Sequence, residues 1–246
     1  MTQSINRRTQ QTIALSFLAG YVDTLGFIAL FGLFTAHVTG NFVLIGRELA
    51  NPSHGVLIKF MAFPAFIFAV ALTRMAVVWL ERAGKAPLPY LLLLQLVLLL
   101  GFMGFGYMIE PVNDTDAPLA LLAGMFGAAS MGVQNANSRL TMQHLTPTTV
   151  MTGNVTQLVI DFVDVLRGVA DDDIRKRCIK FFWPVVAFGV GAICGAFGYR
   201  QLMFLGLLLP AAILAWLCVG EYLAEKSGVS APSTLWFFVN FTVIFS

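Results

Sequence analysis

Six apolar runs, each close to the roughly twenty residues that a helix needs to cross a hydrocarbon layer, constrain this chain more than anything else in it. They cover residues 11–33, 57–80, 88–109, 117–140, 181–199 and 201–220. Helix-breaking punctuation separates them: Asn51-Pro52 with Gly55, then Ala86-Pro87-Leu88-Pro89, then the stretch from Pro111 to Pro118. Only 11% of the residues are charged and 58% are apolar, against roughly 25% charged in a soluble domain, so a water-facing surface could not be covered. The expected fold is therefore an all-α integral membrane protein with six transmembrane helices. Residues 1–222 make a single transmembrane domain, and 223–246 a C-terminal tail whose apolar patch at 235–245, half a span long, reads as interfacial.

Arg7 and Arg8 precede the first run, but no small-residue cleavage site follows, so the run reads as a retained span. Lys and Arg then set the orientation. Arg82 and Lys85 join runs two and three, Arg167, Arg175, Lys176, Arg177 and Lys180 join runs four and five, and the loop "EPVNDTDAP" has neither base. Both termini are expected to be cytoplasmic. Arg47, Lys59 and Arg200 fall on the other side in this scheme.

A polar phrase is written twice. Val38-Thr39-Gly40-Asn41 aligns with Met151-Thr152-Gly153-Asn154, which brings Glu48 onto Asp161. Upstream, Gly20-Tyr21-Val22-Asp23 falls near Gly132-Val133-Gln134; downstream, "KFMAFP" (59–64) meets "KFFWP" (180–184). The chain thus reads as two copies of a three-span unit, 10–110 and 115–222. Three crossings are odd, so the second copy must enter from the opposite side, giving the inverted repeat common among transporters that alternate access.

Gly40 and Gly153 would let the chain leave helical dihedrals, with Thr39, Asn41, Thr152 and Asn154 bonding freed backbone groups and a short helix starting after each break. Two readings are open: an ordinary interhelical turn, or a broken helix lining a substrate site. Glu48 and Asp161 take equivalent places near the far ends of the short helices, with Arg47 a local partner for Glu48.

Asp23 lies halfway along run one, where an ionisable group costs at least about 2.5 kcal/mol and must face the interior. Ser16, Gly20 and Asp23 share a face of run one, and Gly127, Ser130, Gln134, Asn137 and Thr141 share one of run four, widened by Asn135, Ser138 and Arg139. These side chains either line a polar path or act as interhelical glue. Gly191 and Gly195, with Ala65, Ala69 and Thr73, are close-packing faces directed at runs one and four or a second subunit.

Enzymatic constellations are thin. His37, His54 and His144 are scattered, the three cysteines form no CxxC pair, and no HExxH, GxSxG or Walker phrase occurs. No enzyme activity, metal site or cofactor is expected. His37 is a candidate proton relay with Asp23, or a structural side chain at the interface. "DDDIRKR" at 171–177 mixes signs and reads as a solvated loop rather than a nucleic-acid patch, with its bases near anionic lipid.

"GYVDTLGFIALFGLFTAHVTGN", "GVQNANSRL" and "TPTTVMTGNVTQL" together resemble the YoaK-type family of bacterial six-span inner-membrane proteins, classed as a domain of unknown function. The resemblance covers roughly residues 10–222. It implies the bacterial cytoplasmic membrane and assigns neither a substrate nor functional residues; the segment from Ser230 on departs from it. The expected function is a small-solute transporter, with proton coupling through Asp23 as one version and a homodimer as its assembly, because six helices enclose little volume. The alternative is a non-transporting scaffold or regulator whose polar seams only pack helices.

Overall fold

A computed structural model describes residues 2–51, 55–114 and 116–227, with side chains from Arg8 onward. The apolar patch at 235–245 lies outside the described residues. The elements are α1 (Thr2–Ala29), α2 (Gly40–Ala50), α3 (Val56–Arg82), α4 (Pro87–Met108), α5 (Pro118–Leu140), α6 (Met151–Leu166), α7 (Asp172–Leu202) and α8 (Leu208–Ser227), with a 3-10 turn at Met203–Leu207. The described residues contain no strand, so the all-α expectation holds.

Five segments are long and apolar enough to cross a membrane: Arg8–Ala29, Val56–Arg82, Pro87–Met108, Pro118–Leu140 and Asp172–Lys226. The last spans 55 residues, about 80 Å as one helix at 1.5 Å per residue. It is instead broken at Met203, whose φ of 48° lies in the left-handed region, and continues as α8.

Several boundaries differ from the sequence reading. The first run ends at Ala29 rather than 33 because Phe31 (φ 51°) and Gly32 (φ 86°) turn the chain out of the helix. The "DDDIRKR" stretch is not a loop: Asp171 accepts the Ile174 N–H at 2.8 Å as an N-cap, and Asp172 and Asp173 occupy the first turn of α7, where acidic side chains oppose the helix dipole. Gly40 and Gly153 also do not supply the break. Gly40 opens α2 and Gly153 is the third residue of α6, and neither has positive φ; the non-helical segments are 30–39, which takes in Thr39, and 141–150.

α1 and α5 form the centre. They bury 72% and 61% of their most apolar stretch, the other three segments only 33–39%. α1 runs along α7, and α5 along α3 and α4. The α1–α7 seam has no room for side chains: a Cβ on Gly191 would lie 2.0 Å from the Phe17 carbonyl oxygen, and one on Gly20 2.1 Å from that of Phe188. Gly132 of α5 meets the Phe66 carbonyl of α3 in the same manner, at 3.0 Å. The small-residue face of α7 is therefore directed at α1, and that of α3 at α5. Outward surfaces carry Phe68, Met75, Trp79 and Ile193, each more than 60% exposed, as a hydrocarbon solvent requires.

Candidate functional site

Both short helices are inside-out. α2 buries only Asn41 and Glu48, and α6 only Asn154 and Asp161, while Phe42, Val43, Leu49, Val159, Phe162 and Leu166 face outward. Seven residues is two helical turns, so each Asn and its acid share one inward face. A helix in water would hide the opposite set.

The inward residues grip the preceding breaks. Asn41 Nδ2 donates to the Phe34 carbonyl at 2.8 Å and its Oδ1 accepts the Phe34 N–H at 2.9 Å. Asn154 Nδ2 donates to the Pro147 carbonyl at 2.7 Å, again seven residues back. Proline has no N–H to return, which is why the second clamp has a single bond.

Each break also leans on a central helix. Asp23 Oδ1 accepts the N–H groups of Thr35 and Ala36, both at 2.7 Å, and more weakly the His37 N–H and Thr35 hydroxyl at 3.4 Å. Backbone donors left over where α1 unwinds are thus satisfied by one carboxylate oxygen, as buried peptide groups require. In the second half Gln134 Nε2 donates to Thr148 Oγ1 at 3.0 Å and Asn135 Nδ2 to Thr149 Oγ1 at 2.8 Å, while the Ser138 and Thr148 hydroxyls lie 3.0 Å apart. There amides and hydroxyls tie the break to α5 through side chains, where Asp23 ties the first break to α1 through backbone N–H groups.

The acids close the arrangement. Lys59, fully buried, spends its three ammonium hydrogens on Glu48 Oε1 (2.7 Å), the Phe31 carbonyl (2.8 Å) and the Gly55 carbonyl (3.2 Å). Glu48 is therefore held by Lys59, and Arg47, the local partner expected from sequence, is exposed. In the second half two residues share the duty. Lys180 Nζ donates to the His144 carbonyl at 2.5 Å, and Arg177 binds Asp161 through Nε and Nη2 at 2.8 and 2.7 Å. The fork-on-fork geometry is the strong form of the contact.

Above these clamps, Gln95 Nε2 of α4 donates to Gln134 Oε1 at 2.7 Å, Gln134 Nε2 also reaches the Leu15 carbonyl at 2.8 Å, and Ser130 Oγ donates to the Gln95 carbonyl at 3.1 Å. Asn137 Oδ1 accepts from Thr141. Asp23, with the His37 backbone, belongs to the first break; Ser130, Gln134, Asn135 and Asn137 cluster at the second and at the α4 contact. Arg139 and the His37 side chain are exposed, the His37 ring 5.7 Å from that of Phe34. Thr39, Thr152 and Gly153 are also exposed, so within each TGN only the Asn reaches the interior.

A family described as protein of unknown function (DUF1275) matches residues 11–220. The chain belongs to this family. The YoaK-type proteins that the sequence resembles are among its members, and the matched segment contains every residue of both clamps. No curated protein and no solved structure matches the chain.

Sequence reasoning about this DUF1275 chain missed Gln95, Thr148 and Thr149. A signal for Gln95 existed, since it is the lone polar residue of "LLLLQLVLLL". Thr148 and Thr149 sit in a loop-like stretch, where nothing local distinguishes an inward hydroxyl from a solvated one.

Asp161, on the short helix α6, has its carboxyl held below the usual carboxylate range, chiefly by the Arg177 guanidinium and also by Gln157. A depressed folded-state value contributes stability that is present above the unfolded value of about 3.8 and lost as pH falls through the folded one. Arg177→Gln is therefore expected to lower the melting temperature by a few degrees at neutral pH, with the gap to wild type closing below about pH 4 as Asp161 protonates in both. Melting curves in detergent from pH 3 to pH 8 check both statements.

Proposed function

We propose that this DUF1275 protein is a small-solute transporter of the bacterial cytoplasmic membrane, with six crossings arranged as two inverted three-helix repeats and both termini cytoplasmic. One observation carries the reading: the same break-and-clamp device recurs in both halves, and its helices turn polar residues inward and apolar ones outward. Residues 31, 34 and 41 in the first half have the roles of 144, 147 and 154 in the second, and the ion-paired acids at 48 and 161 take matching places, all at a constant offset of 113. A non-helical segment at membrane depth is tolerated only where protein buries it or a polar cavity faces it, and paired breaks at a repeat interface are a common plan for a binding site near the bilayer midplane. The pairing of α1 with α7 and of α5 with α3 is what a two-fold relation between halves would produce. Asp23, Ser130, Gln134, Asn135, Asn137 and Arg139 are the candidate path residues, and a homodimer is the proposed assembly.

Proton coupling would run through Asp23. Its bonds to the described residues all fall on Oδ1, so Asp23→Asn keeps an acceptor for the loop amides and removes the titratable group. The variant is expected to express and melt like wild type and to lose uptake driven by a pH gradient in proteoliposomes. Normal uptake by Asp23→Asn overturns proton coupling through this residue.

The scaffold reading has its own support, since Gln134 and Gln95 bond each other and nearby protein groups. Thiol accessibility separates the two. Single cysteines at 23, 134 and 137 react with water-soluble reagents if a path reaches them, and stay silent if the seams are dry.

A further inference from the structure

The junction of α1, α4 and α5 carries three polar atoms that no group among the described residues satisfies. Ser16 Oγ on α1, Gln95 Oε1 on α4 and Asn137 Nδ2 on α5 are enclosed and without a hydrogen-bond partner; their residues expose 0%, 0% and 1% of their surface. Existing bonds draw their residues to one place. Gln95 donates to Gln134, and Gln134 donates to the carbonyl of Leu15, the residue before Ser16. Asn137 follows Gln134 by three residues and so shares its face of α5.

Between them the three offer an acceptor, a donor and a hydroxyl that can be either. Enclosed polar groups without partners are costly in a low-dielectric interior, and three on helices that meet through Gln134 of α5 call for a polar molecule between them. Its charge is constrained by what surrounds it. Ser16, Gln95, Ser130, Gln134, Asn137 and Thr148 are all uncharged, and an ion would shed its hydration there without a counter-charge. Asp23 lies two turns along α1, about 10 Å away, with Oδ1 committed to the loop at 35–37.

We propose that this junction binds an uncharged, hydrogen-bonding solute of the amide or polyol class, with Gln95 Oε1 accepting from it, Asn137 Nδ2 donating to it and Ser16 Oγ completing the shell. The inference names the substrate class of the transport path, and rests on that reading for movement of the solute though not for its binding.

The test uses the full chain in lipid nanodiscs, titrated with acetamide, urea, glycerol and erythritol, and with acetate and ethylammonium as charged probes of similar size. At least one neutral probe is expected to raise the melting temperature saturably while the charged probes do not. Ser16→Ala removes an unpaired hydroxyl, so its unliganded melting temperature should stay or rise while affinity for that probe falls about tenfold. A hydroxyl that merely packs helices would lower the unliganded value and leave affinity alone. Gln95→Met should weaken the same probe and serves if Ser16→Ala does not accumulate. No shift with any neutral probe, a shift with charged probes only, or unchanged affinity in Ser16→Ala overturns the proposal. Saturable binding without uptake into vesicles leaves the solute class standing and removes the transporter; uptake of charged solutes alone does the reverse.

Discussion

Lys59→Met is expected to lower stability by about 3–5 kcal/mol, the cost of leaving one member of a buried ion pair without the other. Methionine matches the lysine stem in length and apolar character, so the loss isolates the ammonium group. Glu48 Oε1 loses its 2.7 Å partner, the Phe31 carbonyl loses its donor where α1 unwinds, and the Gly55 carbonyl at the start of α3 keeps only the residue 59 backbone N–H at 3.5 Å. Glu48 Oε2 already has no partner among the described residues, so none of them compensates the charge. The double variant Glu48→Gln/Lys59→Met should recover part of the loss, because a neutral amide is far cheaper to enclose than a carboxylate. Lys180→Met is the contrast: Lys180 also holds a break carbonyl but is exposed, so water replaces it and the effect should be small. Thermal unfolding of the purified proteins in one detergent ranks all three; equal losses for Lys59→Met and Lys180→Met would refute the buried-pair account.

Gly191→Ala should be comparably damaging. The added Cβ would sit 2.0 Å from the Phe17 carbonyl oxygen and within 3.0 Å of its Cα. Those are backbone atoms, so no rotamer change can relieve the overlap and α1 and α7 must separate. Overpacking of this kind costs typically 1–3 kcal/mol, and more where only backbone can move. Grading is built into the helices. A Cβ on Gly195 meets the Tyr21 carbonyl at 2.3 Å, one on Gly132 meets the Phe66 carbonyl at 3.0 Å, and one on Gly189 meets nothing within 4 Å. The expected order of melting-temperature loss is Gly191→Ala and Gly195→Ala, then Gly132→Ala, with Gly189→Ala neutral or slightly stabilising. Damage at Gly189 equal to that at Gly191 would show that glycine acts through local helix flexibility instead of helix contact.

Much of the fold was legible without coordinates. The helices α3, α4 and α5 begin and end within a few residues of the apolar runs, because twenty apolar residues leave a chain in lipid little choice but a helix. The distance of Glu48 and Asp161 from the TGN asparagines marks them as a matched pair, and both are buried on the inward faces of short helices. The position of the breaks was not legible. Gly40 and Gly153 have the residue type of helix breakers, yet one opens α2 and the other lies in the first turn of α6; the turn out of α1 falls at Phe31 and Gly32, inside an apolar run that gives no periodicity signal.

The sequence by itself determined a membrane solvent, the extents of α3, α4 and α5 and the duplication of the polar phrase, all of which follow from composition and spacing along one chain. Only the tertiary structure decided which base meets which acid. Aligned by their Lys-Phe pairs, Lys59 and Lys180 are counterparts, and both do hold a break carbonyl. Their acids are treated differently because 11 residues separate Glu48 from Lys59 but 19 separate Asp161 from Lys180. In the longer second half Arg177, one turn earlier on α7, reaches the carboxylate first. Charge pairing is a matter of a few ångströms between helix faces, and those distances are set by how the helices pack rather than by any residue's place in the sequence.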